Sequence, residues 1–213
     1  MQGQGRPVGG ASKQTVFVVD DDDAVRDSLG MLLRSVELPV ETFDSGIAFL
    51  ERYRPNIAGC IVLDIRMPKM SGLEVQQHLR ERGCRLPVIF ITGHGDIPMA
   101  VQAIKEGAAD FIQKPFRDQD LLDRIHAALA ENTRQRSEDS QRSTLATCYE
   151  SLTEREREVM GMVVAGKANK VIALDLNLSQ RTVEIHRARV MEKMQARSLA
   201  DLVKMAIDLG VTQ

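Results

Sequence analysis

Four consecutive aspartates, Asp20 to Asp23, sit at the end of the apolar run TVFVV, and a fifth, Asp64, closes the run GCIVLD. A lysine, Lys114, and Pro115 follow the third segment of this kind, ADFIQ. Carboxylates held close repel one another, and the usual remedy is a hard divalent cation with oxygen ligands, Mg2+ or Mn2+. A carboxylate beside such an ion can act as a nucleophile towards a phosphoryl group and give an acyl phosphate. The ion and a lysine then neutralise charge on the transferring group. Asp64 as nucleophile, Asp20 and Asp21 as metal holders and Lys114 as phosphate clamp make one coherent mechanism. Taken singly, each signal is weak: an aspartate run after a strand serves equally as a solvated turn and helix cap, and a Lys-Pro pair as an ordinary loop. Their co-occurrence, each at the carboxyl end of a different apolar run, is what points to a site.

Positioning these groups calls for strands. Candidates are Thr15–Asp20, Pro39–Phe43, Gly59–Asp64, Leu86–Thr92 and Asp110–Ile112. Three are almost continuously apolar, as expected of strands buried on both faces of a parallel sheet. Between them lie helical patterns such as Val25, Leu29, Leu32 and Leu33, or Ile97, Val101 and Ile104. Alternating strand and helix implies an α/β fold with right-handed crossovers. Sites in such sheets form outside the carboxyl ends of the strands, where strand order reverses. If the order is 2-1-3-4-5, as in known doubly wound proteins, Asp20, Asp21 and Asp64 converge there.

Residues 116–131 read as a fifth helix with Leu121, Leu122, Ile125 and Leu129 on one face, and residues 132–150 as a polar linker able to continue it. Beyond Ser151 strand signals vanish. Thr153 and Glu156 fit a capping box, so a helix starts near Glu154, with Val159, Met162 and Val163 as its apolar face and Gly166 as its stop. The stretch 170–176 holds about two turns, with Val171, Ile172 and Leu176 apolar. Ser179 then caps a longer helix through Lys193 that turns Val183, Val190, Met191 and Met194 to the core. Short helix, tight turn and longer helix form a helix-turn-helix, whose second helix enters the major groove. An ordinary helical domain with a charged, solvated face fits the spacing equally well.

Composition narrows the class. The net charge of −2 hides an asymmetry: residues 1–131 carry 15 Lys and Arg against 19 Asp and Glu, while residues 179–197 carry 5 against 2. No apolar run reaches the roughly 20 residues of a membrane helix. The first 14 residues lack an apolar stretch and read as a disordered lead-in, not a secretory signal. Cys60, Cys84 and Cys148 have no metal-ligand spacing, and nothing points to an oxidising compartment, so the cytoplasm is the expected location.

The segments VFVVDDDDAVR, LDIRMPKMSG, VIFITGHGD and ADFIQKPF resemble, in order and spacing, those of response-regulator receivers. The segments TERE, AGKANKVIA, LSQRTVEIH, RVMEKM and ARSLADLV resemble LuxR-type DNA-binding domains. Together they resemble the NarL/FixJ family of two-component regulators, most closely its FixJ-like members. The resemblance implies a flavodoxin-like receiver (15–131) with a five-stranded parallel sheet, a linker (132–150) and an all-α four-helix output domain (151–213). It implies phosphorylation at Asp64, with Mg2+ held by Asp21, Asp64 and the backbone carbonyl of Arg66, Asp20 nearby and Asp22 as a further candidate. Thr92 and Phe111 match the residues that move when the phosphoryl group arrives, Lys114 the phosphate-binding lysine, and Pro115 a follower joined to it by a cis peptide. His94 reads as a loop residue.

In the output domain the resemblance puts Glu184, Ile185 and Ala188 at base edges, and Lys170, Arg181, Thr182, Arg187 and Arg189 at phosphates. Some relatives carry lysines where this chain has Glu184 and Ala188, so their operator cannot be borrowed. His186 fits either the core or a backbone contact. Leu202, Met205 and Leu209 of the last helix match the usual dimer surface, though core packing accounts for them equally. The implied partners are a sensor histidine kinase, double-stranded DNA, RNA polymerase and, on phosphorylation, a second copy. Three alternatives compete. An aspartyl-phosphate phosphatase would need a second Asp where Arg66 stands. A sensor of acyl ligands would be richer in aromatics than 4%. It would also leave Asp21, Asp64 and Lys114 unexplained, and a phosphorylation-independent regulator with a vestigial receiver is disfavoured because all the expected polar groups are present.

Overall fold

The alternation of apolar runs and amphipathic stretches resolves, in a computed structural model that describes residues 14–93 and 97–211, into two compact units, residues 1–135 and 136–213. The lead-in segment and His94 lie outside the described residues.

In the first unit five strands alternate with five helices: β1 (Thr15–Val19), α1 (Asp23–Ser35), β2 (Val40–Phe43), α2 (Gly46–Arg52), β3 (Gly59–Asp64), α3 (Gly72–Glu81), β4 (Val88–Thr92), α4 (Ile97–Lys105), β5 (Asp110–Gln113) and α5 (Asp118–Glu150). Every strand pair is parallel and the order is β2-β1-β3-β4-β5. Strand residues alternate between the two faces of the sheet, so each strand feeds two cores. Phe17, Val19, Ile61, Leu63, Val88 and Phe90 pack with Phe49, Val75 and Leu79 of α2 and α3 on one side. Val16, Val18, Cys60, Val62, Ile89 and Ile91 pack with Leu29 and Leu33 of α1 and Leu121 and Ile125 of α5 on the other. All six residues of β3 are buried, which explains why that run reads as continuously apolar.

One helix departs from its sequence pattern. On α4, Ala103 is the residue sealed into the core, while Val101 and Ile104 stand 44% and 40% exposed. An alanine lets the helix lie close to the sheet, and that approach turns the larger side chains outward.

The polar stretch after Glu131 has no break: α5 runs for 33 residues, from Asp118 to Glu150. Asn132 is 2% exposed, and its Oδ1 accepts the buried N–H of Gly59 at 3.1 Å. Gly59 has φ +147°, and a Cβ there would lie 1.8 Å from the carbonyl oxygen of Thr15, so the start of β3 must be glycine.

The second unit contains α6 (Glu154–Val164), α7 (Asn169–Asp175), α8 (Gln180–Lys193) and α9 (Leu199–Asp208). Its core joins Val159, Met160, Val163, Ile172, Val183, Val190, Met194, Leu202 and Ala206, with Leu145, Cys148 and Tyr149 packed against it. Met160, at 1% exposure, takes the place expected for Met162, which is only half-buried. Val159 and Val163 keep their places in the apolar stripe of α6, and Met160, about one turn before Val163, completes it in place of Met162. No helix among the described residues is long and apolar enough to cross a membrane.

Gly59→Ala should cost more than about 3 kcal/mol, since it combines a severe overlap with a positive φ. Hydrogen exchange of the β1 and β3 amides should quicken by more than about a hundredfold, while α6 and α8 amides stay unchanged.

Candidate functional site

The register of β1, β3, β4 and β5 brings three chain ends to one edge of the sheet. Asp20 follows β1, Asp64 ends β3, and Lys114 follows β5, its N–H donating to the Thr92 carbonyl at 2.8 Å. The Lys114 Nζ donates to Asp20 Oδ2 at 2.9 Å and to Asp64 Oδ1 at 2.8 Å. Asp20 and Asp64 are 1% and 7% exposed, so one ammonium offsets two carboxylates largely withdrawn from water. Their other oxygens are satisfied by backbone: Asp22 N–H donates to Asp20 Oδ1 at 2.9 Å and Arg66 N–H to Asp64 Oδ2 at 2.7 Å.

Burial pushes the Asp64 carboxyl above the usual aspartate range, and the charge of Asp20 adds to this, while Lys114 and the Arg66 N–H oppose it. Burial would lower Lys114, but its bonds to Asp64 and Asp20 win and hold it above the usual lysine value. The lysine therefore stays charged beside a carboxyl that is unusually easy to protonate.

Two sequence expectations change here. Asp21 does not join a three-carboxylate cluster; it is exposed, and among the described residues no three metal-ligating side chains converge. β1 ends at Val19 and the chain bends at Asp21, which leaves that side chain in solvent while Asp20 turns inward. Asp22 does not turn to the cluster either. Its Oδ1 caps α1, accepting from Ala24 N–H at 2.8 Å and Val25 N–H at 3.4 Å. A carboxylate at the positive end of a helix is well placed electrostatically.

Thr92 is buried, with its hydroxyl on the Ile112 carbonyl through a long bond of 3.4 Å. Phe111 is half-buried against the core on the α2–α3 side. The Lys114–Pro115 peptide is cis.

Sequence reasoning missed two supports. Arg26 donates to the Asp20 carbonyl at 2.6 Å. Gly72 donates to the Ile65 carbonyl at 2.9 Å, and a Cβ on it would lie 2.3 Å from the Asp64 carbonyl oxygen. The glycine of LDIRMPKMSG was visible in the sequence, but nothing local says that its helix start abuts Asp64.

In the second unit, Asn177 at φ +52° makes the turn between α7 and α8. Ser179 caps α8, accepting from Thr182 N–H at 3.1 Å, and the two hydroxyls are 2.8 Å apart. Arg181, Glu184, Ile185, Ala188 and Arg189 of α8 and Lys170 of α7 are exposed. Arg187 instead donates to Asn169 Oδ1 at 2.6 Å, bracing α8 against α7. His186 is half-buried. Leu202 is 1% exposed and belongs to the core, and Met205 and Leu209 pack on it half-buried. Leu202 is therefore withdrawn from any contact with a second copy; the exposed large apolar residues of α9 are Leu199 and Ile207.

Glu156 locks this unit. It is 2% exposed, caps α6 reciprocally with Thr153, and its Oε2 accepts from Lys193 Nζ at 2.6 Å. Burial alone would raise its pKa, but the bonds from Lys193 and Thr153 overcome this and lower it to about 2.

An acidic pair with a lysine at the carboxyl edge of a 2-1-3-4-5 parallel sheet, followed by a four-helix unit with a helix-turn-helix, defines a phosphoryl-receiving switch joined to a DNA-binding module. Residues 16–126 match the response regulator receiver domain and residues 150–206 the bacterial regulatory proteins of the luxR family, so the chain belongs to the response regulators that combine these two domains. It is 49% identical over 196 residues to the transcriptional regulatory protein FixJ of Azorhizobium caulinodans, covering 92% of this chain and 93% of that one. It is also 49% identical over 189 residues to the response regulator protein TodT of Pseudomonas putida, covering 89% and 83%. The solved response regulator StyR, 47% identical, superposes with a TM-score of 0.87 over 92% of this chain and 98% of that one. Full-length FixJ from B. japonicum, 40% identical, gives 0.59 over 95% and 100%.

Because the folded pKa of Glu156 is depressed, its stabilisation is complete above the ordinary glutamate range and is lost as pH falls towards about 2. Urea unfolding of the second unit should therefore weaken by about 2–3 kcal/mol from pH 5 to pH 2. Glu156→Gln should flatten that dependence and lower stability at pH 7 by about 2–4 kcal/mol, because Lys193 loses its partner.

Proposed function

We propose that this chain is a phosphorylation-controlled transcription factor. A sensor histidine kinase transfers a phosphoryl group to Asp64, and the second domain then binds double-stranded DNA in the cytoplasm. The observation that carries this reading is the Lys114 ammonium shared between Asp20 and Asp64 at 2.9 and 2.8 Å.

The donor set fits Mg2+, which accepts one or two carboxylates and retains several waters. Asp20 and Asp64 supply buried carboxylate oxygens, the Arg66 carbonyl a backbone oxygen, and exposed Asp21 an outer ligand or a bond to a coordinated water. When bound, the ion supplies positive charge to the phosphoryl oxygens. An oxygen of the Asp64 carboxylate attacks phosphorus, the phosphorus–nitrogen bond to the kinase histidine breaks, and the electron pair leaves with that nitrogen. Lys114 moves from carboxylate to phosphoryl oxygen, a short shift between acceptors. The Thr92 hydroxyl gives up its long bond to Ile112 for a charged acceptor, and Phe111 turns further into the space vacated. Arg66 offers no carboxyl for a hydrolytic step, so the chain acts as a regulator and not as an enzyme.

In the output domain, α8 enters the major groove with Glu184, Ile185 and Ala188 towards the bases. Lys170, Arg181 and Arg189 meet phosphates, with Thr182 through its hydroxyl at the start of α8 and Arg187 from its seat on Asn169. Phosphorylation yields a dimer on paired half-sites, which engages RNA polymerase.

Acetyl phosphate with Mg2+ should give a slower band on a phosphate-affinity gel, lost with chelator and in Asp64→Ala; a band persisting in Asp64→Ala would overturn the assignment. Arg189→Ala should weaken binding about equally across DNA sequences and reduce the slope of log K against log salt by about 1.

A further inference from the structure

The reading helix carries an acid where DNA contact favours bases. Glu184 lies in the second turn of α8, exposed, and makes no hydrogen bond or ion pair among the described residues. Arg181 and Arg187, three residues to either side, are within helical pairing range. Neither takes it: Arg187 is drawn to Asn169. Three other acids of this unit are paired, Glu156 with Lys193, Glu158 with Arg155, and Asp175 with Lys167, whereas exposed Glu192, two turns further along α8, is not. Next to Glu184 stands Ile185, a large apolar side chain 47% exposed, and one turn further on stands Ala188, also exposed. The stripe is a free carboxylate flanked by two hydrocarbon groups.

We infer that Glu184 is a specificity-determining residue that selects a cytosine, with Ile185 and Ala188 selecting an adjacent thymine. This deepens the DNA-binding reading above and rests on it. An ionised carboxylate only accepts hydrogen bonds. In the major groove the donors are the cytosine N4 amine and the adenine N6 amine. Adenine presents its N7 acceptor beside that amine, which repels the second carboxylate oxygen, whereas cytosine presents only C5–H there. Guanine and thymine offer acceptors alone. Away from a cytosine the carboxylate is left desolvated and close to phosphates, so it penalises wrong sequences as well as favouring the right one. Ile185 and Ala188 cannot pair with polar base edges, and the group in the groove that suits them is the thymine methyl. Glu184 and Ala188 are about 6 Å apart along the helix axis, or roughly two base-pair steps. The half-site therefore contains a cytosine within about two base pairs of a thymine on the face read by α8.

The test is selection from a randomised duplex library by the full chain after acetyl phosphate treatment, with wild type, Glu184→Ala and Glu184→Gln run in parallel. Glu184 is exposed and unpartnered, so both variants should fold, checked by unchanged thermal unfolding. Wild type should enrich one half-site with a fixed cytosine. Glu184→Ala should relax that position alone, with discrimination falling about tenfold or more. Glu184→Gln should shift it towards adenine. Replacing the cytosine by 2-pyrimidinone, which lacks the amine, should weaken wild type and leave Glu184→Ala unchanged. A wild-type site whose base preferences are identical in Glu184→Ala overturns the inference and leaves DNA binding intact. If wild type enriches no duplex at all, the DNA-binding reading falls and this inference with it.

Discussion

Everything at the carboxyl edge of the sheet depends on one ammonium offsetting two buried carboxylates. Asp20 and Asp64 are each almost sealed from water, and an uncompensated charge at either would cost several kcal/mol. Lys114 is the group that makes their burial tolerable, and it reaches them only because its own N–H is fixed on Thr92 and its strand is the outermost of three in parallel register. The same balance makes the site responsive. Two negative groups sharing one cation have capacity for further positive charge, and a newly arrived phosphoryl group offers the lysine a stronger acceptor than either aspartate.

The protein spends much of its local chemistry in holding these chain ends still. Arg26 fixes the Asp20 carbonyl, Asp22 caps α1, the Arg66 N–H orients the Asp64 carboxylate, and Gly72 allows α3 to start against the Asp64 backbone. Further from the site, Asn132 closes the first backbone donor of β3 from a helix 73 residues away in sequence. The Thr92 hydroxyl is held more loosely, buried with only a 3.4 Å bond. Rigidity around the charges and slack at the hydroxyl are consistent with a site in which one local event is transmitted and the rest is scaffold.

The strands were legible because burial on both faces leaves long apolar runs, and the helix starts at Glu154 and Gln180 because Thr153 and Ser179 cap in ways written locally. What stayed hidden depends on contacts distant in sequence or on competition between equal partners. Asp21 and Asp22 have the same chemistry as Asp20, and only the turn of the backbone decides that one goes inward, one to solvent and one to a helix cap. Met160 and Met162 both fit an apolar stripe, and the neighbouring helices choose between them. Leu202 could be a core or an interface residue by periodicity; its burial against α6 and α8 settles which. Arg187 carries the same charge as Arg189, and Asn169 alone distinguishes them.

That last distinction governs how charge should be counted on the second unit. By composition, residues 179–197 are only mildly basic. In the fold, charges cancel selectively. Glu156 goes inside with Lys193, Glu158 pairs with Arg155, and Asp175 pairs with Lys167, while Lys170, Arg181 and Arg189 remain exposed without an ion pair among the described residues. Each of these pairs cancels one acid against one base, so the local excess of basic residues survives in the cations left unpaired. A mildly basic surface thus presents cations to a phosphate backbone, and that local excess governs steering and counterion release. Glu184 is the exception that gains meaning from this arrangement. Arg187 is committed to Asn169 and Arg181 makes no ion pair with Glu184, so its charge, the only negative one in the first two turns of α8, can act on a base without being masked by the protein.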